Sequence, residues 1–253
     1  KIIMLIDTHS HLADIKEIDK LLSDCKNNFV TEIISISTNI DDSKKNVVIS
    51  NDFQNIYCSV GIHPGETSNT DVQSLDEIEQ LAHNPYCKAI GEIGLDFYYK
   101  PYDKKLQLNF FEKQIEISEK LNLPFIIHCR DAYQDAIKFL KKRNPKVQFV
   151  FHCFTENYET AKQILDLGGY ISFTGIITFK KSASLRELIK KIPIQSFMIE
   201  TDSPYLSPEP KRGKINNSSN LIYIAECISK TLNIDFEKLG QQLRFNSVKF
   251  FNI

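Results

Sequence analysis

Short apolar runs bounded by turn residues recur along the whole chain. They lie at Ile2 to Ile6, Glu32 to Ser37, Ile56 to Val60, Lys88 to Glu92, Phe125 to His128, Gln148 to His152, Tyr170 to Thr174 and Phe197 to Thr201. Runs this short and this apolar suit strands buried on both faces, as in a parallel sheet. Between them apolar residues return at helical spacing: Leu108, Phe111 and Ile115, then Tyr133, Ile137 and Leu140, then Ala161, Ile164, Leu165 and Leu167. The stretch from Asn220 to Phe251 reads as terminal helices. Eight strands alternating with helices predict an α/β fold, the TIM (β/α)8 barrel. No linker, low-complexity tract or internal repeat interrupts the pattern, so one domain over residues 1–253 is expected. The loop from Pro208 to Asn220 follows the eighth strand, and in a barrel it opens onto the functional face.

A chain of 253 residues is long enough for one such barrel. Area scaling gives about 11,500 Å² of folded surface against about 42,000 Å² for the extended chain, so a large core forms without disulfides. The six cysteines, Cys25, Cys58, Cys87, Cys129, Cys153 and Cys227, show no CxxC spacing and read as reduced thiols. Ile2 to Ile6 is too short for a secretory segment, and no later run approaches a membrane span. A cytoplasmic or nuclear protein without targeting segment or membrane partner is expected. With no exposed apolar pattern asking for a second copy, it is expected to be a monomer. Lys and Arg number 31 against 32 Asp and Glu, a net charge of −1 with 25% charged and 42% hydrophobic residues. That balance excludes disordered, collagen-like and membrane-spanning classes, and argues against gripping nucleic acid by a basic surface.

Polar residues collect at the ends of the strands. The first run ends in Asp7-Thr8-His9-Ser10-His11, the fourth in Gly91-Glu92-Ile93-Gly94-Leu95-Asp96, the fifth in His128-Cys129-Arg130, the sixth in His152-Cys153-Phe154 and the eighth in Glu200-Thr201-Asp202-Ser203-Pro204. In a closed barrel these ends share one mouth. His9 and His11 are two apart, so an extended chain projects both imidazoles to one side. Buried and unpaired, such imidazoles and carboxylates would each cost several kcal/mol, and shared cations are the simplest common explanation. His9, His11, Glu92, His128, His152 and Asp202 are therefore the expected metal ligands. Glu200 is a candidate for orienting a ligand imidazole or for a buried ion pair, and Asp96 for fixing a ligand or capping the following segment. His83 reads as surface. Cys129 and Cys153 each follow a ligand by one residue, so strand alternation predicts packing thiols turned from the mouth.

The ordered motifs DTHSHL, GIHPG, GEIGLDFY, IIHCRDA, FHCF, ETDSPYLSP and RGKIN, over residues 7 to 251, resemble the TatD family of metal-dependent deoxyribonucleases. The resemblance implies a barrel that hydrolyses DNA phosphodiesters exonucleolytically, acting on single strands or duplex ends, with two divalent metal ions (Mg²⁺, Mn²⁺ or Zn²⁺). Position by position it implies that His9, His11, Glu92 and Asp202 hold one ion and Glu92, His128 and His152 the other. Glu92, Asp202, His128 and His152 would carry catalysis, with His63 beside the site. Gly65 and Asn217-Ser218 depart from the family's usual residues. Arg130 shares the side of His128 and, with Arg212 and Lys214, offers phosphate contacts; Tyr98 and Tyr99 could stack bases or pack their loop. Relatives of the family deacylate D-aminoacyl-tRNA, so carbonyl chemistry on the same site is the alternative; a non-catalytic binding protein is disfavoured because every metal position is filled. Two divalent ions with Glu92 and Asp202 would leave the site about +2, making bound metal the phosphate attractor despite the near-zero net charge. A shallow salt dependence follows.

Overall fold

Ile, Val and Phe recur through the strands because their branched or flat side chains fill a pleated, doubly covered surface. In the computed structural model, which describes residues 4–253, these positions form eight strands. They are β1 (Leu5–Ser10), β2 (Val30–Ser35), β3 (Ile56–Val60), β4 (Cys87–Asp96), β5 (Phe125–Arg130), β6 (Phe149–Phe151), β7 (Tyr170–Phe173) and β8 (Phe197–Ile199). Each pairs in parallel with the next, in sequence order. The helices are α1 (Ile18–Asn27), α2 (Ile40–Asp52), α3 (Leu75–Ala82), α4 (Lys104–Leu121), α5 (Tyr133–Arg143), α6 (Tyr158–Asp166), α7 (Ala183–Ile189), α8 (Leu221–Leu232) and α9 (Phe236–Phe251). Side-chain caps start several of them: Asp103 accepts from the Lys105 and Leu106 amides, Asn157 from Thr160 and Asp235 from Lys238. The accessible surface, 11998 Å², is close to the value expected from chain length. Among the described residues no helix is long and apolar enough to cross a membrane.

Two apolar layers hold the barrel. A large outer cluster, with Leu5, Ile33, Ile90, Ile93 and Leu95, packs strands against helices. A smaller inner one contains Ile6, Ile34, Ile36, Ala89, Ile126, Val150 and Met198, and Phe250 and Phe251 of α9 seal it from below. The seam between β1 and β8 has little ladder. The His11 amide donates to Ser203 O (2.8 Å) and the Asp202 amide to His9 O (2.9 Å), and Ser10 and Ser203 form an isolated bridge. Buried polar side chains complete it: Thr8 Oγ1 donates to Ile199 O (3.0 Å), and Asp7 accepts from Thr201 N and Oγ1 (2.8 and 2.6 Å).

Strand limits differ from the apolar runs. Ile2 and Ile3 of the first run lie outside the described residues, while β1 continues through Ser10 because Asp7, Thr8 and Ser10 find hydrogen-bond partners in the buried seam. β4 likewise reaches Asp96, whereas β6 and β8 stop at Phe151 and Ile199 and leave His152 and Glu200 to Asp202 in the loops.

Two register breaks decide what faces the mouth. On β4, Ala89 points inward and Ile90 outward, but Ile93 and Leu95 again point outward; the ladder to β5 shifts between Ile90 and Ile93. One extra residue at Gly91 (φ +151°) therefore turns Glu92 and Asp96 to the interior. On β1, Asp7 pairs with outward-facing Ile33 and Ser10 with Ser35, with a shift between them. The break between Asp7 and Ser10 leaves Asp7 outward and sends His9 inward.

Candidate metal centre

Glu92 sits at the centre of the mouth, buried, with imidazoles on three sides. His128 Nδ1 and His152 Nε2 both approach its Oε1 at 2.7 Å, and His9 Nε2 lies 3.5 Å from its Oε2. Asp202, brought in by a left-handed turn (φ +54°) after β8, lies 3.6 Å from His9 Nε2 and 3.4 Å from His11 Nε2. All six residues expected as ligands are thus in one cluster. His63 joins it: its Nδ1 accepts from the Gly65 amide (3.0 Å), which aims Nε2 at Glu92 Oε1, 3.7 Å away.

The charges in this cluster set one another. Burial works to raise the Glu92 carboxyl, yet the charge of His152 and the close approach of the His128 and His152 rings hold it well below the usual carboxylate range. For His152 burial opposes protonation, but Glu92 and Glu200 outweigh it and raise the imidazole well above its ordinary value. His128 is raised against burial by Asp96 and Glu92, and His11 by Asp202. His9, lowered by burial and by His152, and His63, lowered by burial to about 4, stay neutral at pH 7. Asp202 is lowered, against burial, chiefly by His11 and His9.

The donor set fits divalent cations. Both ring nitrogens of His9 and Nδ1 of His152 are buried without a hydrogen-bond partner, an arrangement costing about 1–3 kcal/mol per atom unless something else engages them. Three sets of ligand atoms fall within 4.8 Å of one another: His9, His11 and Glu92; His9, His152 and Asp202; and His63, Glu92 and His128. Glu92 belongs to two of these. The grouping differs from the sequence assignment in setting His152 with His9 and Asp202, and His63 with His128. Mixed imidazole and carboxylate ligands accept Zn²⁺, Mn²⁺ and Mg²⁺.

Supporting residues surround the cluster. Glu200 Oε1 lies 3.5 Å from His152 Nδ1 and accepts from the Cys153 amide (2.7 Å). Asp96 Oδ2 lies 3.0 Å from His128 Nε2, and its Oδ1 accepts from the Tyr98 amide, so it both holds the His128 ring and caps the following turn. Arg130 lies at the edge, its guanidinium 3.5 Å from the centre of the Tyr98 ring and without a carboxylate partner among the described residues. Arg212 is elsewhere, stacked over Phe179 at 3.9 Å, and neither it nor Lys214 lines the mouth. His83 is exposed as expected. Cys129 is buried and Cys153 half-buried, and both line a cavity beside the mouth; at Cys153 β6 has ended, and alternation no longer applies to a residue at φ +49°. Sequence reasoning gave no role to Asp7 or Tyr205; Asp7 carried a signal, as an acid inside an apolar strand.

The family profile described as TatD related DNase matches residues 6–252. The chain belongs to the TatD family. It is 40% identical, over 98% of its length and 99% of the relative's, to an uncharacterized metal-dependent hydrolase of Buchnera aphidicola. It is 34% identical to the uncharacterized metal-dependent hydrolase YcfH of Escherichia coli, covering 98% of this chain and 96% of that one. Among solved structures it matches a TatD family hydrolase of Entamoeba histolytica (TM-score 0.88, 28% identity, 98% of both chains). The TatD homolog YJJV of Escherichia coli superposes with TM-score 0.94 over 100% of both chains at 24% identity, a likeness of fold. This TatD protein is a metal-dependent hydrolase.

Proposed function

We propose that this TatD protein is a deoxyribonuclease that hydrolyses DNA phosphodiesters exonucleolytically with two divalent cations. The observation that carries the reading is the Glu92-centred cluster with the unpaired guanidinium of Arg130 at its edge. His9, His11, His63, His128, His152, Glu92 and Asp202 would hold the cations, with Glu92 shared. Divalent ions bound there supply positive charge for the phosphoryl oxygens and acidify water. Arg130, steadied by Tyr98, binds a non-bridging phosphate oxygen. Asp202, ionised at neutral pH and on the cavity wall, accepts the proton of the attacking water. Glu200 and Asp96 keep the His152 and His128 rings aligned for in-line attack.

The main cavity, about 620 Å³, also carries Asp42 and Glu66. That acidic wall favours an ammonium-bearing substrate, which keeps the D-aminoacyl-tRNA ester as the second reading. End-labelled DNA and D-aminoacyl-tRNA are each incubated with the protein, with and without chelator. Chelator-sensitive cleavage of DNA is expected, and its absence under every cation overturns the first reading. Asp202→Asn with full metal-dependent activity removes the proton-acceptor role.

A further inference from the structure

Two cavities meet at the metal centre. The larger, about 620 Å³, extends over His63 and Tyr99 toward the acidic wall. The smaller, about 350 Å³, runs the other way, between the loops after β6, β7 and β8. His128, Arg130, His152, Asp202 and Tyr205 line both, so the ligands form a floor common to the two and Arg130 and Tyr205 stand at the boundary.

Beyond that boundary the smaller chamber is uncharged. Its own walls are Cys129, Cys153, Thr155, Ile176 and Leu206. Its volume is at the low end of small-molecule sites, which run about 300–1,000 Å³. A second phosphate in this chamber would find no cation of its own and would face the carboxylate of Asp202. The neutral parts of a nucleotide, base and deoxyribose, suit it. Tyr205 offers a ring 62% exposed at the entrance, held near His11 with ring centroids 6.1 Å apart, and a base can stack on it.

We propose that the smaller chamber is a subsite for one terminal nucleoside, seated next to the scissile phosphate. This rests on the phosphodiesterase reading above. Arg130 then contacts the phosphate at the boundary, the nucleoside lies against Ile176 and Leu206, and the strand continues on the opposite side of the floor. A chamber of this size has room for about one nucleoside, so it receives the nucleotide at one end of the strand.

The test compares thymidine 5′-(p-nitrophenyl phosphate) with methyl p-nitrophenyl phosphate, which share a leaving group and differ only in the nucleoside. Thr155 is exposed on the chamber wall, so Thr155→Trp fills the chamber from the solvent side. The ratio of kcat/KM for the thymidine ester to that for the methyl ester is expected to fall about tenfold or more, the loss of one stacked base. A second readout needs no turnover: dTMP binding to chelator-treated protein, followed by saturation-transfer NMR, should weaken about tenfold in the same variant. An unchanged ratio or an unchanged dTMP affinity overturns the subsite. A wild-type protein inert toward both esters with every cation, yet binding dTMP in a Thr155→Trp-sensitive way, sinks the phosphodiesterase reading and leaves the nucleoside chamber standing.

Discussion

Asp7 offers a quantitative check on the physics of the seam. It is fully buried and accepts hydrogen bonds from Thr201 N, Thr201 Oγ1 and, at 3.4 Å, the His9 amide. Burial outweighs these bonds and lifts its carboxyl from 3.8 to about 7. Below pH 3.8 folded and unfolded chains both hold the proton, and Asp7 costs nothing. As pH rises toward 7 the unfolded chain releases the proton while the folded chain retains it, so stability is lost; above 7 the loss is constant. At 1.36 kcal/mol per pH unit the full loss is about 4 kcal/mol, of which about 3 kcal/mol falls between pH 5 and pH 8. Asp7→Asn keeps a neutral group of the same shape. In chelator, the unfolding free energy of the variant minus that of the wild type should therefore rise by about 3 kcal/mol from pH 5 to pH 8. Urea unfolding followed by far-UV circular dichroism measures this, since the chain has no tryptophan. Parallel pH profiles for the two proteins would refute the claim that burial governs this carboxyl.

Three further outcomes are expected. Glu200→Gln should weaken cation binding by about 10- to 100-fold, read by competition with a chromophoric chelator, because it loosens the His152 ring rather than removing a ligand. Gly94 lies at φ +133° with no room for a methyl, which would stand 2.2 Å from His128 O, so Gly94→Ala should cost about 2–5 kcal/mol in urea unfolding; Gly213→Ala, at φ +80° with open space around it, should cost about 1–2 kcal/mol. Phe251→Ala should cost about 3–5 kcal/mol at the barrel floor while cation affinity holds, and a parallel loss of affinity would show that floor and mouth are not independent.

Much of the barrel was legible because a parallel strand covered on both faces must be apolar, and the runs at Ile56, Phe125 and Tyr170 reported this directly. The spacing of His9 and His11 gave a common side. Company with the other strand-end ligands assigned that side to the interior, where both lie, but the register break between Asp7 and Ser10 that sends His9 inward was hidden, as was the extra residue at Gly91 that turns Glu92 to the mouth. Alternation was then carried one step too far at Cys153, past the end of β6. Arg212 and Lys214 show another limit: a loop's place after β8 does not say which way its charges turn, and here stacking on Phe179 holds one of them away. Asp96 shares the parity of Glu92 along β4, and the two roles expected of it, holding a strand-end imidazole and capping the following segment, correspond to its contacts with His128 and the Tyr98 amide.

The barrel interior is closed from below by α9, which follows all eight strands in the chain. During synthesis the apolar well around Ile6, Ile34 and Ile126 stays open to water until the segment carrying Phe250 and Phe251 has cleared the ribosome. A nascent chain arrested before that point presents the well to chaperones and to other chains, so the passage from ribosome to folded protein is most exposed at a late step.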